Sequence, residues 1–310
     1  MSLSRLHLAA GALLVLSTLL ATPAVATDVD GPDDCGRFLD DWGDAPESFM
    51  AYPASAGGAI GNFPTCSLPG GTGTQTTSCP PISTPPGPTG YVKHFLSVPG
   101  SFWLGCYAGP MGIDFDPEGK TGPGGSGNSF CNPAITTDCV EPGYAPLSFD
   151  QDECLGDGSD AGLFAAPSFV ACNPATVAYE AFSCHATAQG FLNILLDMNS
   201  DGDWNDNFAC PPPAGGCAYE WAVRNHPITL APGCNPLISP AFLVGPNVGL
   251  AWMRISISQE PVGDDFPWNG TAAMPGGQIR NGETEDYPFS IQAATPASGS
   301  SWGRVKSTYR

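Results

Sequence analysis

The sequence predicts an all-β fold, a disulfide-rich antiparallel β-sandwich with long loops. Three observations lead there. The chain of 310 residues carries 39 Gly and 33 Pro, so turns are frequent and long helices are not. Several short segments alternate apolar and polar residues with the period of a strand, and no long amphipathic helix pattern appears. The 12 cysteines, an even number, all follow the N-terminal apolar segment, which fits full pairing in an oxidising compartment. A zinc cluster would need close pairs such as C-x2-C, and the chain has none.

Taken in chain order, residues 1–26 read as a secretion signal. Arg5 supplies the basic n-region, Leu8 to Leu20 the apolar h-region, and Ala24-Val25-Ala26 a small-residue site, with cleavage after Ala26. The apolar run is too short for a stable span, and no other segment could cross a bilayer. The mature chain is therefore expected outside the cell or at its surface, with no membrane span. Residues 27–39 form an acidic entry segment, residues 40–292 one β domain, and residues 293–310 a flexible tail that ends in Arg304, Lys306 and Arg310.

Within the domain, residues 57–90 are rich in Pro, Gly, Ser and Thr and carry Cys66 and Cys79. They are expected to form a disulfide-pinned loop, not a strand region. Residues 109–142 read alike. Strands are expected over residues 176–183, with Val177, Tyr179 and Ala181 on one face, and over the apolar run 191–196. A third covers residues 218–230, with Tyr219, Trp221, Val223 and Ile228. The clearest is residues 248–258, with Ala251, Met253, Ile255 and Ile257 on one face and Trp252, Arg254, Ser256 and Ser258 on the other. Tyr287, Phe289 and Ile291 mark the last strand. Cys-Asn-Pro, at Cys131, Cys172 and Cys234, reads as repeated turn chemistry. Cys210 and Cys217, with Pro and Gly between them, read as a small disulfide loop.

The strongest functional signal is Asp197-Met198-Asn199-Ser200-Asp201-Gly202-Asp203-Trp204. Oxygen-bearing side chains stand at every second position and a glycine follows the third. A hard cation such as Ca2+ takes six to eight oxygen ligands, and this spacing can wrap one where glycine permits the sharp turn. A short strand precedes the loop, so it is not a helix–loop–helix EF-hand. Phe208 stands where an EF-hand places its bidentate Glu. Candidate ligands are Asp197, Asn199, Asp201, Asp203 and Asp206, with closing carboxylates from Glu283, Glu285 and Asp286. The last three would reach the ion if the final strand lay beside the 191–196 strand. Carboxylates this close repel one another strongly unless a cation sits between them. The alternative is an Asn/Asp-rich turn without a metal. Asp150, Asp152, Asp157 and Asp160, around Cys154, offer a second, weaker cation site or a share in the first, and the alternative is a solvated acidic turn.

Four segments together resemble the GEVED domain of secreted bacterial proteins. Gly282-Glu283-Thr284-Glu285-Asp286-Tyr287 is similar to the motif that names the family, with Thr284 in place of its valine. Asp41-Trp42-Gly43-Asp44-Ala45-Pro46 resembles the family's opening, and the 197–204 loop resembles its DxNxDG segment. Met253-Arg254-Ile255-Ser256-Ile257-Ser258 resembles its arginine-bearing strand. The four occur in the family's order over roughly residues 40–292. The resemblance implies a calcium-stabilised extracellular β-sandwich of surface or adhesive proteins, and no catalytic activity.

The charge of −20 repels nucleic acid and anionic lipid. No G-x-S-x-G or H-E-x-x-H motif occurs, and His94, His185 and His226 are dispersed. Paired acids raise a glycosidase reading, but carboxylates are too abundant for a pair to be diagnostic. Most Trp residues read as core, and Trp268, in a polar loop, is the candidate for an exposed binding aromatic. The expected function is a secreted, calcium-stabilised structural or adhesive module, not an enzyme, whose partner is an extracellular protein or glycan. A calcium-dependent carbohydrate-binding module is the alternative, and an extracellular hydrolase the next.

Overall fold

A computed structural model describes residues 40–42, 45, 47–52, 54–63, 76–79, 93–95, 102–105, 162–163, 167–183, 187–212, 215–263 and 279–294. The signal and entry segments, the acids around Cys154, Trp268 and residues 295–310 lie outside them. The described residues are almost entirely β, as the sequence predicts, with one 3-10 turn at Ala54–Ala56. None of their helices is long and apolar enough to cross a membrane.

In chain order the first strands are β1 (Asp40–Trp42), β2 (Glu47–Met50), β3 (Ile60–Asn62), β4 (Lys93–Phe95) and β5 (Phe102–Leu104). Then come β6 (Ser168–Val170), β7 (Pro174–Ala175), β8 (Ala178–Ser183), β9 (Ala188–Leu196), β10 (Asn207–Ala209) and β11 (Cys217–Tyr219). The last are β12 (Trp221–Leu230), β13 (Gly233–Ile238), β14 (Phe242–Leu243), β15 (Gly249–Ser258), β16 (Ile279–Arg280) and β17 (Gly282–Gln292). A five-stranded sheet in the order β12-β9-β15-β17-β6 is the centre of the molecule, and β13-β8-β5 and β1-β4-β16 flank it. Pairing is antiparallel except for β17 with β6 and β16 with β4.

Strand parity builds two cores. Leu192, Ile194, Leu196, Met253, Ile255, Ile257 and Tyr287 project from one face of the central sheet and pack against Leu104, Tyr179 and Ala181 of the β13-β8-β5 sheet. This is the sandwich. Leu195, Trp221 and Trp252 project from the opposite face and pack with Ala45, Tyr52, Phe63, Trp204 and Ile279. The polar face expected on β15 is therefore covered as well: every residue from Ala251 to Ser258 is buried. A strand enclosed on both sides must satisfy its polar groups internally.

Three local expectations need correction. Residues 57–90 contain a short strand, β3, paired with β2. Cys234-Asn235-Pro236 is not a turn but the middle of β13. This is an edge strand, where a proline without N–H is tolerated, and Pro236 pairs opposite Glu180. Cys210 and Cys217 do not bond to each other; the bridges are Cys79–Cys217 and Cys172–Cys210. Ala209 stands opposite Cys217 in the ladder, so Cys210, one residue on, faces the other way. No described cysteine is free.

Candidate metal centre

The acidic loop is an excursion from an otherwise continuous strand. Before it, β9 pairs with β12, with Leu195 opposite Trp221. After it, β10 pairs with β11, with Asn207 opposite Tyr219. Only Glu220 separates the two partner strands, so residues 197–206 leave and rejoin the sheet across a single residue.

The loop turns back on itself at Gly202, with φ +96°. A Cβ there would also collide with the carbonyl oxygen of Ile60 and approach Gly61 Cα at 3.1 Å, so the β2–β3 segment closes over the turn only because glycine stands there. Asp197 organises the turn. Its Oδ2 accepts from Gly202 N (2.8 Å) and from the Tyr52 hydroxyl (2.7 Å), and its Oδ1 accepts from Asp201 N (3.2 Å). Tyr52 in turn accepts from Trp252 N at 3.1 Å.

One oxygen from each of Asp201, Asp203 and Asp206 lies within 4.8 Å of the others, the reach of a single metal ion. Asn199 Nδ2 donates to Asp201 Oδ2 (2.8 Å) and Asp206 Oδ2 (2.6 Å) and draws the two acids together. The Thr76 N–H donates to Asp206 Oδ1. Asn207 Oδ1 holds the next residues of that segment through Ser78 N and Cys79 N, at 3.0 and 2.8 Å. Asp203, only 3% exposed, keeps Oδ2 buried without a hydrogen-bond partner, and Asp201 Oδ1 is in the same position. Buried carboxylate oxygens without donors are costly, and a cation is the group that satisfies several at once.

The electrostatics agree. Burial, then the charge of Asp201, raises Asp197 from 3.8 to about 7 and Asp203 to about 8. Burial also raises Asp206 to about 7 and pushes Asp201 upward. Glu220 is raised well above the carboxylate range by burial and by Asp197, Asp206, Asp203 and Asp201. In the metal-free chain Asp197, Asp203 and Asp206 hold protons near neutrality, and a cation bound among them would displace those protons.

Asp197, Asn199, Asp201, Asp203 and Asp206 therefore lie in one loop, and the structure brings the last three acids together. Of the closing carboxylates expected from the C-terminal motif, Glu283 and Asp286 have other partners. Strand β15 lies between β9 and β17, so the last strand does not adjoin β9. By register Glu283 and Glu285 share the sandwich face with Ile257 and Ile255. Glu283 Oε2 accepts from Leu104 N at 2.6 Å. Asp286 faces the other way and pairs with fully buried Arg254, Nε to Oδ1 at 2.7 Å and Nη2 to Oδ2 at 2.5 Å. It also accepts from Ala45 N at 2.8 Å. The Arg254 guanidinium lies 5.6 Å from the ring centroid of Trp204, the residue after Asp203. Thr284 Oγ1 contacts His94 Nε2 at 2.7 Å and donates to Ser256 Oγ at 2.9 Å.

Sequence reasoning missed Glu220 and Tyr52. Glu220 carries one faint signal, a lone acid between the strand aromatics Tyr219 and Trp221; Tyr52 carries none. Of the candidate sugar-stacking aromatics, Trp103, Trp204, Trp221 and Trp252 are buried.

No protein-family model and no characterised protein matches the chain. Among solved structures, a crystal structure of native alpha-2-macroglobulin from Escherichia coli, spanning domain MG7 to the C-terminus, is similar at 14% identity and a TM-score of 0.23. The match covers 44% of this chain and 17% of that one. A cryo-EM reconstruction of the native E. coli protein aligns at 14% identity and a TM-score of 0.21, over 43% of this chain and 6% of that one. The matched part is thus a small fraction of those proteins, and similarity at this level assigns neither family nor function.

Proposed function

We propose that the protein is an extracellular β-sandwich module that binds calcium in the 197–206 loop, with a structural or adhesive role and no catalytic one. The observation that carries this reading is Asp203. Its carboxylate is buried beside those of Asp201 and Asp206, and one of its oxygens has no hydrogen-bond donor. The donor set is all oxygen, which suits a hard cation; zinc and copper prefer imidazole or thiolate. Calcium accepts the irregular, carboxylate-rich geometry that magnesium resists.

Membership in the GEVED family belongs to the same proposal. It is supported by Ala45, Trp204, Arg254 and Asp286, one residue from each of the four motifs, which meet on one face of the central sheet. Secretion is supported by the disulfides. His94 is buried and held between Asn281 and Thr284 in the fold. The partner is an extracellular protein or glycan; a net charge of −20 disfavours nucleic acid.

Titration calorimetry with calcium, together with melting curves in calcium and in chelator, tests the reading. A cation that binds only the folded state stabilises it by about 2.7 kcal/mol at a hundredfold excess over its dissociation constant. Saturable binding and a clear loss of melting temperature on chelation are expected. A melting curve indifferent to both would leave the loop an ordinary turn.

A further inference from the structure

The loop leaves and rejoins the sheet across Glu220, and that residue holds both of its feet. The Glu220 backbone N–H donates to Asp206 O at 3.0 Å, and its carbonyl accepts from Leu196 N at 2.9 Å. The carboxylate repeats the pattern: Oε1 accepts from Met198 N at 2.8 Å and Oε2 from Asp206 N at 2.9 Å. One fully buried side chain thus spans from the residue after Asp197 to the last acid of the cluster. The geometry requires two acceptor atoms at one position. A carboxylate supplies them, whereas an amide offers one acceptor and sets its NH2 against the second N–H.

We infer that Glu220 is a positioning residue of the proposed cation site and not a ligand of the ion. It fixes the separation of the loop's feet, so that Asp201, Asp203 and Asp206 converge. This inference rests on the reading of the loop as a cation site. Outer-shell groups that orient metal ligands typically change affinity by about 10–100-fold when replaced.

The test compares wild type with Glu220→Gln. Calorimetry measures calcium affinity. Europium luminescence lifetimes in H2O and D2O count the water molecules on the saturated ion. The variant is expected to bind calcium about 10–100-fold more weakly, with the same water count as wild type. In calcium-loaded wild type, the amides of Met198 and Asp206 should exchange slowly, because Glu220 remains on them. Unchanged affinity in the variant overturns the inference. Additional water on its bound ion also overturns it, since that would mark Glu220 as a ligand. Should the variant fail to fold, the wild-type exchange measurement decides: slow exchange supports the positioning role and fast exchange overturns it. Wild-type protein that binds no calcium would sink the cation reading itself, and this inference with it.

Discussion

Arg254 ties β15 to β17 and to the acidic loop. It is fully buried, pairs bidentately with Asp286 and lies over Trp204. Asp286 also anchors the N-terminal segment through Ala45 N. Removing one member of a buried pair strands the other, at a cost of about 3–5 kcal/mol. Arg254→Met is expected to destabilise the protein by that amount in urea unfolding. The double variant Arg254→Met with Asp286→Leu should cost less than the sum of the single variants. Asp203 behaves in the opposite way. Burial and the charge of Asp201 raise its carboxyl to about 8, so the metal-free fold must hold a proton there that the unfolded chain has released, which costs stability. Asp203→Asn should raise the melting temperature in chelator and shrink the rise produced by calcium, which paired scanning calorimetry checks.

At the scale of elements, the loop is held from three sides. Glu220 joins its feet, Asp197 and Tyr52 tie it to the N-terminal segment, and residues 76–79 dock against Asp206 and Asn207. The Cys79–Cys217 bridge fastens that last contact to β11. Replacing both cysteines with Ser should cost about 2–5 kcal/mol, as removal of a native disulfide does. It should also weaken calcium binding, because the Thr76 N–H is then no longer held on Asp206. The denaturant midpoint and a calcium titration of the same variant measure the two effects. At the other end of the central sheet, Gly282 has φ +89°, and a Cβ there would run into the Ile257 carbonyl. The glycine that opens the C-terminal motif is required by β15 pressing on β17.

For the whole molecule, the buried acids set a pH dependence whose sign reverses the usual carboxylate case. Asp197, Asp203 and Asp206 titrate at about 7, 8 and 7 in the metal-free fold, against 3.8 when free. Between those limits the folded chain holds protons that the unfolded chain has released, so metal-free stability falls as pH rises from about 4 to 8. His94 acts oppositely, since burial lowers it from 6.5 to about 3, and stability rises with pH across that interval. One group contributes at most about 1.4 kcal/mol per pH unit, so the several acids outweigh the single histidine. In chelator the melting temperature should therefore decline from about pH 4 to 8. With calcium the acids are already deprotonated, and that decline should disappear.

What the sequence by itself determined is local. The alternation in residues 176–183, 218–230, 248–258 and 287–291, and the short apolar run 191–196, mark strands that the fold contains, because both patterns are written in consecutive residues. The oxygen spacing and Gly202 mark the loop for the same reason. Tertiary structure alone decided what completes the loop. Glu220 reaches it because β11 and β12 together form one partner for β9 and β10, and Tyr52 reaches it from 145 residues away. Glu283 and Glu285 do not adjoin it, because β15 intervenes and parity turns them to the sandwich face. Disulfide partners follow the same logic, since one residue of register sends Cys210 and Cys217 to opposite sides. Periodicity reports which residues of a strand share a face. It carries no information about which strand lies next to it, and in a sheet of distant segments the neighbouring strand decides which acids meet.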